Sequence, residues 1–148
     1  MEKGKLLSDP WNFPNEFMAP SGQQCLRYNS LGEFSQGSPL NGECFWVLPN
    51  SLPVQLPGSY GGPPVWNGTG QRVALPRWQP SRLGGIREHL AVLDTQRRKL
   101  IVFQQSFRVL HMHAFNGLLV TGLDSPVYNP EPLLFNLETA AIRHVFEL

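Results

Sequence analysis

Three times along the chain, a short apolar block, a polar turn and a second apolar block follow one another. Phe45-Trp46-Val47-Leu48 leads through Pro49-Asn50 to Val54-Gln55-Leu56. Leu90-Ala91-Val92-Leu93 leads through Asp94-Thr95-Gln96-Arg97-Arg98-Lys99 to Leu100-Ile101-Val102-Phe103. Leu133-Leu134-Phe135-Asn136-Leu137 leads through Glu138-Thr139 to Ile142-Arg143-His144-Val145-Phe146. A helix would spread its apolar residues at i, i+3 and i+4, whereas short blocks bounded by turn residues are the mark of strands. The helical alternative centres on 86–120, which holds no proline, but its apolar residues fall in blocks at 90–93 and 100–103 around a charged run. Fourteen glycines and fourteen prolines among 148 residues also work against long helices and suit strands joined by turns. The expected class is all-β, repeated antiparallel hairpins with no helix longer than about three turns.

A second repetition sets the spacing. Phe17 to Leu26 lines up without gaps on Val65 to Ala74. Each stretch has an apolar pair, a polar turn carrying Ser21-Gly22 or Thr69-Gly70, two polar residues and an apolar strand. The glycine supplies the positive φ of a tight hairpin. The two turns stand 48 positions apart, and Leu93-Asp94-Thr95 and Leu137-Glu138-Thr139 stand 44 apart. A period in the mid-forties filled by four short strands is the arithmetic of a propeller blade. The chain divides accordingly into a leading arm, 1–16, and three units of one domain, about 17–58, 59–105 and 106–148.

Val65 to Phe103 resembles one blade of the Tol-type and WD-repeat β-propellers. Val65-Trp66 and Gly68-Thr69-Gly70 match the aromatic and glycine turn that open the inner hairpin of such a blade. Leu90-Ala91-Val92-Leu93-Asp94 matches the strand that begins the outer one. The first unit departs with Ala19-Pro20, and the third offers only Phe115-Asn116-Gly117-Leu118-Leu119-Val120 as turn and strand. No full Gly-His to Trp-Asp repeat is present. The resemblance implies blade-like units, and three fall short of the four to eight blades of a closed ring. An open twisted sheet or sandwich, a partial propeller, a ring completed by a second chain as a homodimer, and a piece of something longer all remain open. The Met start favours an intact small protein.

Net charge is +1, which lacks the footprint of a dedicated nucleic-acid binder. Arg97-Arg98-Lys99, and Arg72, Arg77, Arg82 and Arg87 with Trp66 and Trp78 interleaved, could contact phosphates and bases, but charges in a turn are more simply solvated. No run of 18 apolar residues exists, so no membrane span is expected. The first seven residues lack the apolar stretch of a secretory signal, which points to a cytoplasmic protein. Cys25 and Cys44 then read as free, buried thiols, and Asn67-Gly68-Thr69 reads as a turn and not as a glycosylation site.

Chemistry-bearing constellations are sparse. His111-Met112-His113 on a strand puts two imidazoles on one face, but a zinc site needs a third ligand and none stands at a matching spacing. Among the carboxylates Glu33, Glu43, Asp94 and Asp124, the two aspartates sit in turns, where they bond local backbone. No Gly-x-Ser-x-Gly elbow occurs. Gly61-Gly62-Pro63-Pro64 lacks the Lys-Ser/Thr of a phosphate loop. No catalytic residue, metal or cofactor is expected; a metal-dependent hydrolase using His111 and His113 is the enzymatic alternative.

The segment 59–86 is the most unusual. It carries Tyr60, Trp66, Arg77, Trp78 and Arg82 among glycine and proline, with Arg87 just beyond. Tyr, Trp and Arg are the residues of interface hot spots. The expectation is a non-catalytic protein-binding protein whose partner contacts are Tyr60, Arg77, Trp78, Arg82 and Arg87, with Arg77–Arg87 forming an outward-facing loop. Trp66 is expected in the core; Trp78 is open between core and interface. A short chain with no targeting signal and an Arg/Trp-rich loop resembles in type the immunity proteins that neutralise a bacterial toxin. A scaffold or assembly subunit explains the same features.

Overall fold

The computed structural model describes residues 8–81 and 85–148. These hold thirteen strands and no helix: β1 (Glu16–Met18), β2 (Cys25–Glu33), β3 (Leu40–Val47), β4 (Val54–Gln55), β5 (Ser59–Tyr60), β6 (Val65–Trp66), β7 (Arg72–Pro80), β8 (Ile86–Asp94), β9 (Lys99–Phe107), β10 (Leu110–Asn116), β11 (Leu119–Asp124), β12 (Glu131–Asn136) and β13 (Ile142–Glu147). Every strand pairing is antiparallel. Ten strands make one open sheet in the order β1-β2-β3-β5-β7-β8-β9-β13, with β4 on β3 and β6 on β7; β10-β11-β12 make a second. Among the described residues no helix is long and apolar enough to cross a membrane.

The two aligned glycine turns fold alike, residue for residue. Phe17 faces Leu26 and Met18 faces Cys25 in the first; Val65 faces Ala74 and Trp66 faces Val73 in the second. Gly22 has φ 74° and Gly70 φ 73°. Gly22 N–H donates to Ala19 O at 2.9 Å, as Gly70 N–H donates to Asn67 O at 3.0 Å. The two turns also touch: Gln24 Nε2 donates to Gly70 O at 2.9 Å, and Trp66 Nε1 donates to Phe17 O at 3.0 Å. The Asn67 side chain closes its own turn, accepting from Thr69 Oγ1 and Arg72 N, each at 3.1 Å.

Two cores lie on opposite faces of β7–β9. On one face Val73, Leu75, Ala91, Leu93, Leu100 and Val102 join Leu26, Tyr28, Cys44 and Trp46 of β2 and β3. Strands so distant in the sheet order meet only because the sheet curls, which makes this face concave. On the other face Ala74, Leu90, Val92 and Phe103 pack on Leu110, Met112, Phe115, Val120, Leu133 and Phe135 of the small sheet. Strands covered on both faces need apolar residues at successive positions, which accounts for the uninterrupted run Leu90–Leu93.

The sheet does not divide at the boundaries of the three expected units. The large sheet draws strands from all of them. The third expected hairpin is not one: β12 pairs with β11, whereas β13 leaves it and pairs with β9, Phe146 opposite Leu100. The side chains explain the parting. Leu133 and Phe135 fill the core under the small sheet, and Phe146 and Leu148 fill the other. The expected loop Arg77–Arg87 is also corrected. Its described residues include the end of β7, as far as Pro80, and the start of β8, from Ile86, with Arg77 opposite His89, Trp78 opposite Glu88 and Gln79 opposite Arg87. Pro76 is tolerated inside β7 because its nitrogen faces the gap between β5 and β6, where its carbonyl accepts from Gly61 N–H at 2.9 Å.

Candidate functional site

Side chains alternate along a strand, so the concave face of β7 that carries Val73 and Leu75 continues into Arg77 and Gln79. On β8 the same face continues from Leu93 and Ala91 to His89 and Arg87. At the same level β9 supplies Gln104 and Ser106, and β13 supplies Arg143 and His144. The apolar lining thus turns polar across four neighbouring strands. Gln79, Arg87, His89, Gln104, Ser106 and Arg143 line a cavity of about 450 Å³. It shares Gln79, Gln104 and Arg143 with a wider cleft of about 670 Å³ that runs past Arg77 to His144 and Phe146.

The cations are held unequally. Arg77 is fixed: Nε donates to Pro57 O at 3.1 Å, Nη1 donates to Gln79 Oε1 at 3.0 Å, and the guanidinium lies 5.3 Å from the centre of the Phe146 ring. Arg87 Nη2 donates to Ser106 O at 3.4 Å. Arg143 is exposed and has no hydrogen bond or ion pair among the described residues. Among the described residues no aspartate or glutamate lines either cavity.

His89 is 6% exposed, and its Nδ1 lies 2.9 Å from Phe103 O. A carbonyl only accepts, so Nδ1 carries the proton and Nε2 is left to the cleft. Burial holds the His89 pKa below the usual imidazole value, and the charges of Arg143, Arg77 and Arg87 add to this against the opposing pull of the Phe103 carbonyl. The site is therefore a positive concavity at neutral pH, with a histidine at its floor whose protonation the surrounding cations resist. Such a set of donors binds oxyanions.

Of the residues expected from sequence, Arg77 and Arg87 come together here. Tyr60 is fully buried, its hydroxyl donating to Pro57 O, and burial pushes its pKa up. Trp78 is only 8% exposed and packs edge-on against Phe34, ring centres 5.1 Å apart. Neither offers a free ring. Arg82 lies outside the described residues. Sequence reasoning missed His89, Arg143, Gln79, Gln104 and Ser106 as site members. The signal was the polar continuation of an apolar alternation, visible on each strand but not across strands.

Elsewhere the candidate chemistry resolves into local structure. The His111 and His113 rings stand 4.6 Å apart on β10, but no group of three or more His, Cys, Asp or Glu that could hold a metal occurs among the described residues. Asp94 Oδ1 accepts from Arg97 N–H at 3.1 Å, and Asp124 Oδ1 accepts from Arg108 and Val109 N–H, each at 3.1 Å. Both aspartates fasten turns. No family model, curated protein or solved structure matches the chain.

Proposed function

We propose that this is a non-catalytic binding protein that receives an acidic group of a protein partner in the cleft of Arg77, Arg87 and Arg143. The observation that carries this reading is the convergence of three guanidiniums on a concave surface with no carboxylate among its described lining residues. Like charges gathered without a counter-ion cost stability, and an acidic ligand offsets that cost. Hydrolysis would need a nucleophile joined to a base. Here the His89 bond runs from Nδ1 to Phe103 O, and among the described residues no hydrogen bond joins the Ser106 hydroxyl to the remaining Nε2. An inhibitor that masks an acidic region of a toxin and an assembly subunit are two forms of this reading.

The test is capture of a stoichiometric partner from the source cell by the immobilised full chain. Retention by the wild type and loss with Arg143→Glu supports the reading. Equal retention by the two, or turnover of a substrate by the purified protein, overturns it.

A further inference from the structure

Resting on the reading that the cleft receives an anionic group, the geometry points to a narrower ligand: a phosphate monoester dianion carried by a phosphorylated side chain of the partner. Three features separate this from a plain carboxylate.

The first is charge. One carboxylate carries a single negative charge and is saturated by one bidentate guanidinium. Arg87 and Arg143 face the same cavity, with Arg77 in its extension. A dianion with three terminal oxygens satisfies two or three guanidiniums at once. The second is the kind of donor. Between the cations the walls carry the Gln79 and Gln104 amides and the Ser106 hydroxyl. These can meet a tetrahedral group from several sides, since Gln79 stands opposite Arg87 and His89 opposite Ser106 in the ladders.

The third is extent. Lining residues come from β7, β8, β9 and β13, and four strands at the usual spacing span about 14 Å. That exceeds a free phosphate ion and suits a phosphorylated residue with part of its chain. A nucleotide fits less well because its base wants an open aromatic face. The Phe146 ring is occupied by His144 at 4.1 Å and by the Arg77 guanidinium at 5.3 Å. Trp78, the other aromatic lining the cleft, is buried against Phe34.

The experiment is calorimetric titration of the full chain at pH 7.5 and low salt with inorganic phosphate, acetate, adenosine monophosphate, and a short phosphoserine peptide with its aspartate counterpart. Phosphate is expected to bind roughly tenfold more tightly than acetate, since two or more charge-assisted contacts replace one. The phosphoserine peptide is expected to exceed inorganic phosphate by a similar factor. Arg143→Ala should weaken both by roughly tenfold without lowering the melting temperature, because Arg143 is exposed and unpaired and its removal relieves the gathered like charge. Arg143→Lys should recover only part, lacking the planar fork.

If the aspartate peptide binds as tightly as the phosphoserine peptide, the phosphate inference is wrong while the acidic-partner reading stands. If the monophosphate nucleotide binds more tightly than the phosphopeptide, the ligand is a nucleotide and the inference also falls. If no probe binds and Arg143→Glu still captures the partner, both fail.

Discussion

The guanidinium of Arg77 fills the space where a side chain on Gly58 would begin. A Cβ at Gly58 would stand 2.6 Å from Arg77 Nε and 2.8 Å from Nη2, and Gly58 has φ 112°. This one glycine, just before β5, lets the arginine lie back against Pro57 and across Phe146. The cation at the extended end of the cleft is thus positioned before any ligand arrives, which spares the entropy of fixing a long side chain on binding.

Gly58→Ala is expected to cost about 1–3 kcal/mol for the backbone conformation alone and to expel Arg77 from its seat. Anion affinity should fall with stability. Gly22→Ala is the control: φ is 74°, but nothing lies within 4 Å, so it should lose stability and keep anion binding. Thermal melts and phosphate titrations of the two variants check this.

Trp78→Ala should lower stability by ~3 kcal/mol, as large-to-small changes of a buried aromatic do. The indole is enclosed by Phe34 and lies over Gly61, whose Cβ would stand 2.8 Å from Trp78 Nε1. Urea unfolding reads the loss. A variant as stable as the wild type would return Trp78 to the list of surface anchors.

Glu88 gives a pH signature. It is fully buried between the sheets; Oε1 accepts from Leu110 N–H at 2.5 Å, and Oε2 has no partner among the described residues. Burial pushes its pKa well above the carboxylate value of 4.5, against the pull of the Leu110 amide, with Asp124 adding to the rise. The folded chain therefore keeps a proton that the unfolded chain releases above 4.5. This contribution is fully present below that pH and is lost as pH rises towards the folded-state pKa. Glu88→Gln keeps the acceptor for Leu110 and cannot ionise. Its stability relative to wild type should grow by up to ~1.4 kcal/mol per pH unit from pH 5 upward. Urea melts of both proteins at pH 5, 6.5 and 8 check the slope.

The thiols should behave as isolated groups. Cys25 faces Val47 and Cys44 faces Tyr28 across β2–β3, and both are free. Burial raises both thiol pKa values, with the Glu16 carboxylate adding to that of Cys25. Thiol titration without reductant should count two in denaturant, with far slower reaction in the native state. A count of zero would show a bridge.

Local pattern carried far into this fold and then stopped. The alignment of Phe17–Leu26 on Val65–Ala74 named two turns and the positive φ of their glycines, because a glycine turn is fixed by residues within a few positions. The break between Leu137 and Ile142 was not legible. Both flanking blocks are apolar, and only the partners they find, Phe103 for one and Leu100 for the other, decide which core each serves. The cleft failed for the same reason. Arg77 and Arg87 stand in one hairpin and were recognised together; Arg143 reaches them only because β13 crosses to β9. Glycine and proline around Tyr60 and Trp78 suggest a loop, which points Tyr60 to a partner surface and leaves Trp78 open between core and interface, whereas Pro76 and Gly61 meet in a strand gap that keeps the ladder intact.

His89 should couple anion binding to protonation. In the free protein, burial and three arginines hold its pKa below 6.5. An anion in the cleft offsets the guanidinium charges and favours imidazolium, so the bound-state pKa is higher than the free one. Binding then takes up a proton in the window between the two values. Affinity must rise as pH falls through the bound-state pKa and level off below the free-state pKa. A rise of one pH unit on binding corresponds to roughly tenfold in affinity. Phosphate confuses the measurement because it loses its own second charge as pH falls, whereas sulfate remains a dianion. Sulfate titrations from pH 8 to pH 5.5 should therefore show tightening, and His89→Gln, which can still donate to Phe103 O, should flatten the profile. The histidine's own effect on folding has the opposite sense: a lowered imidazole pKa gives stability that is present above 6.5 and declines as pH falls through that value. Tighter sulfate binding at a pH where the unliganded fold is losing stability would separate a ligand-linked proton from a general gain in compactness. A sulfate affinity independent of pH would remove His89 from the site and leave the three arginines to act alone.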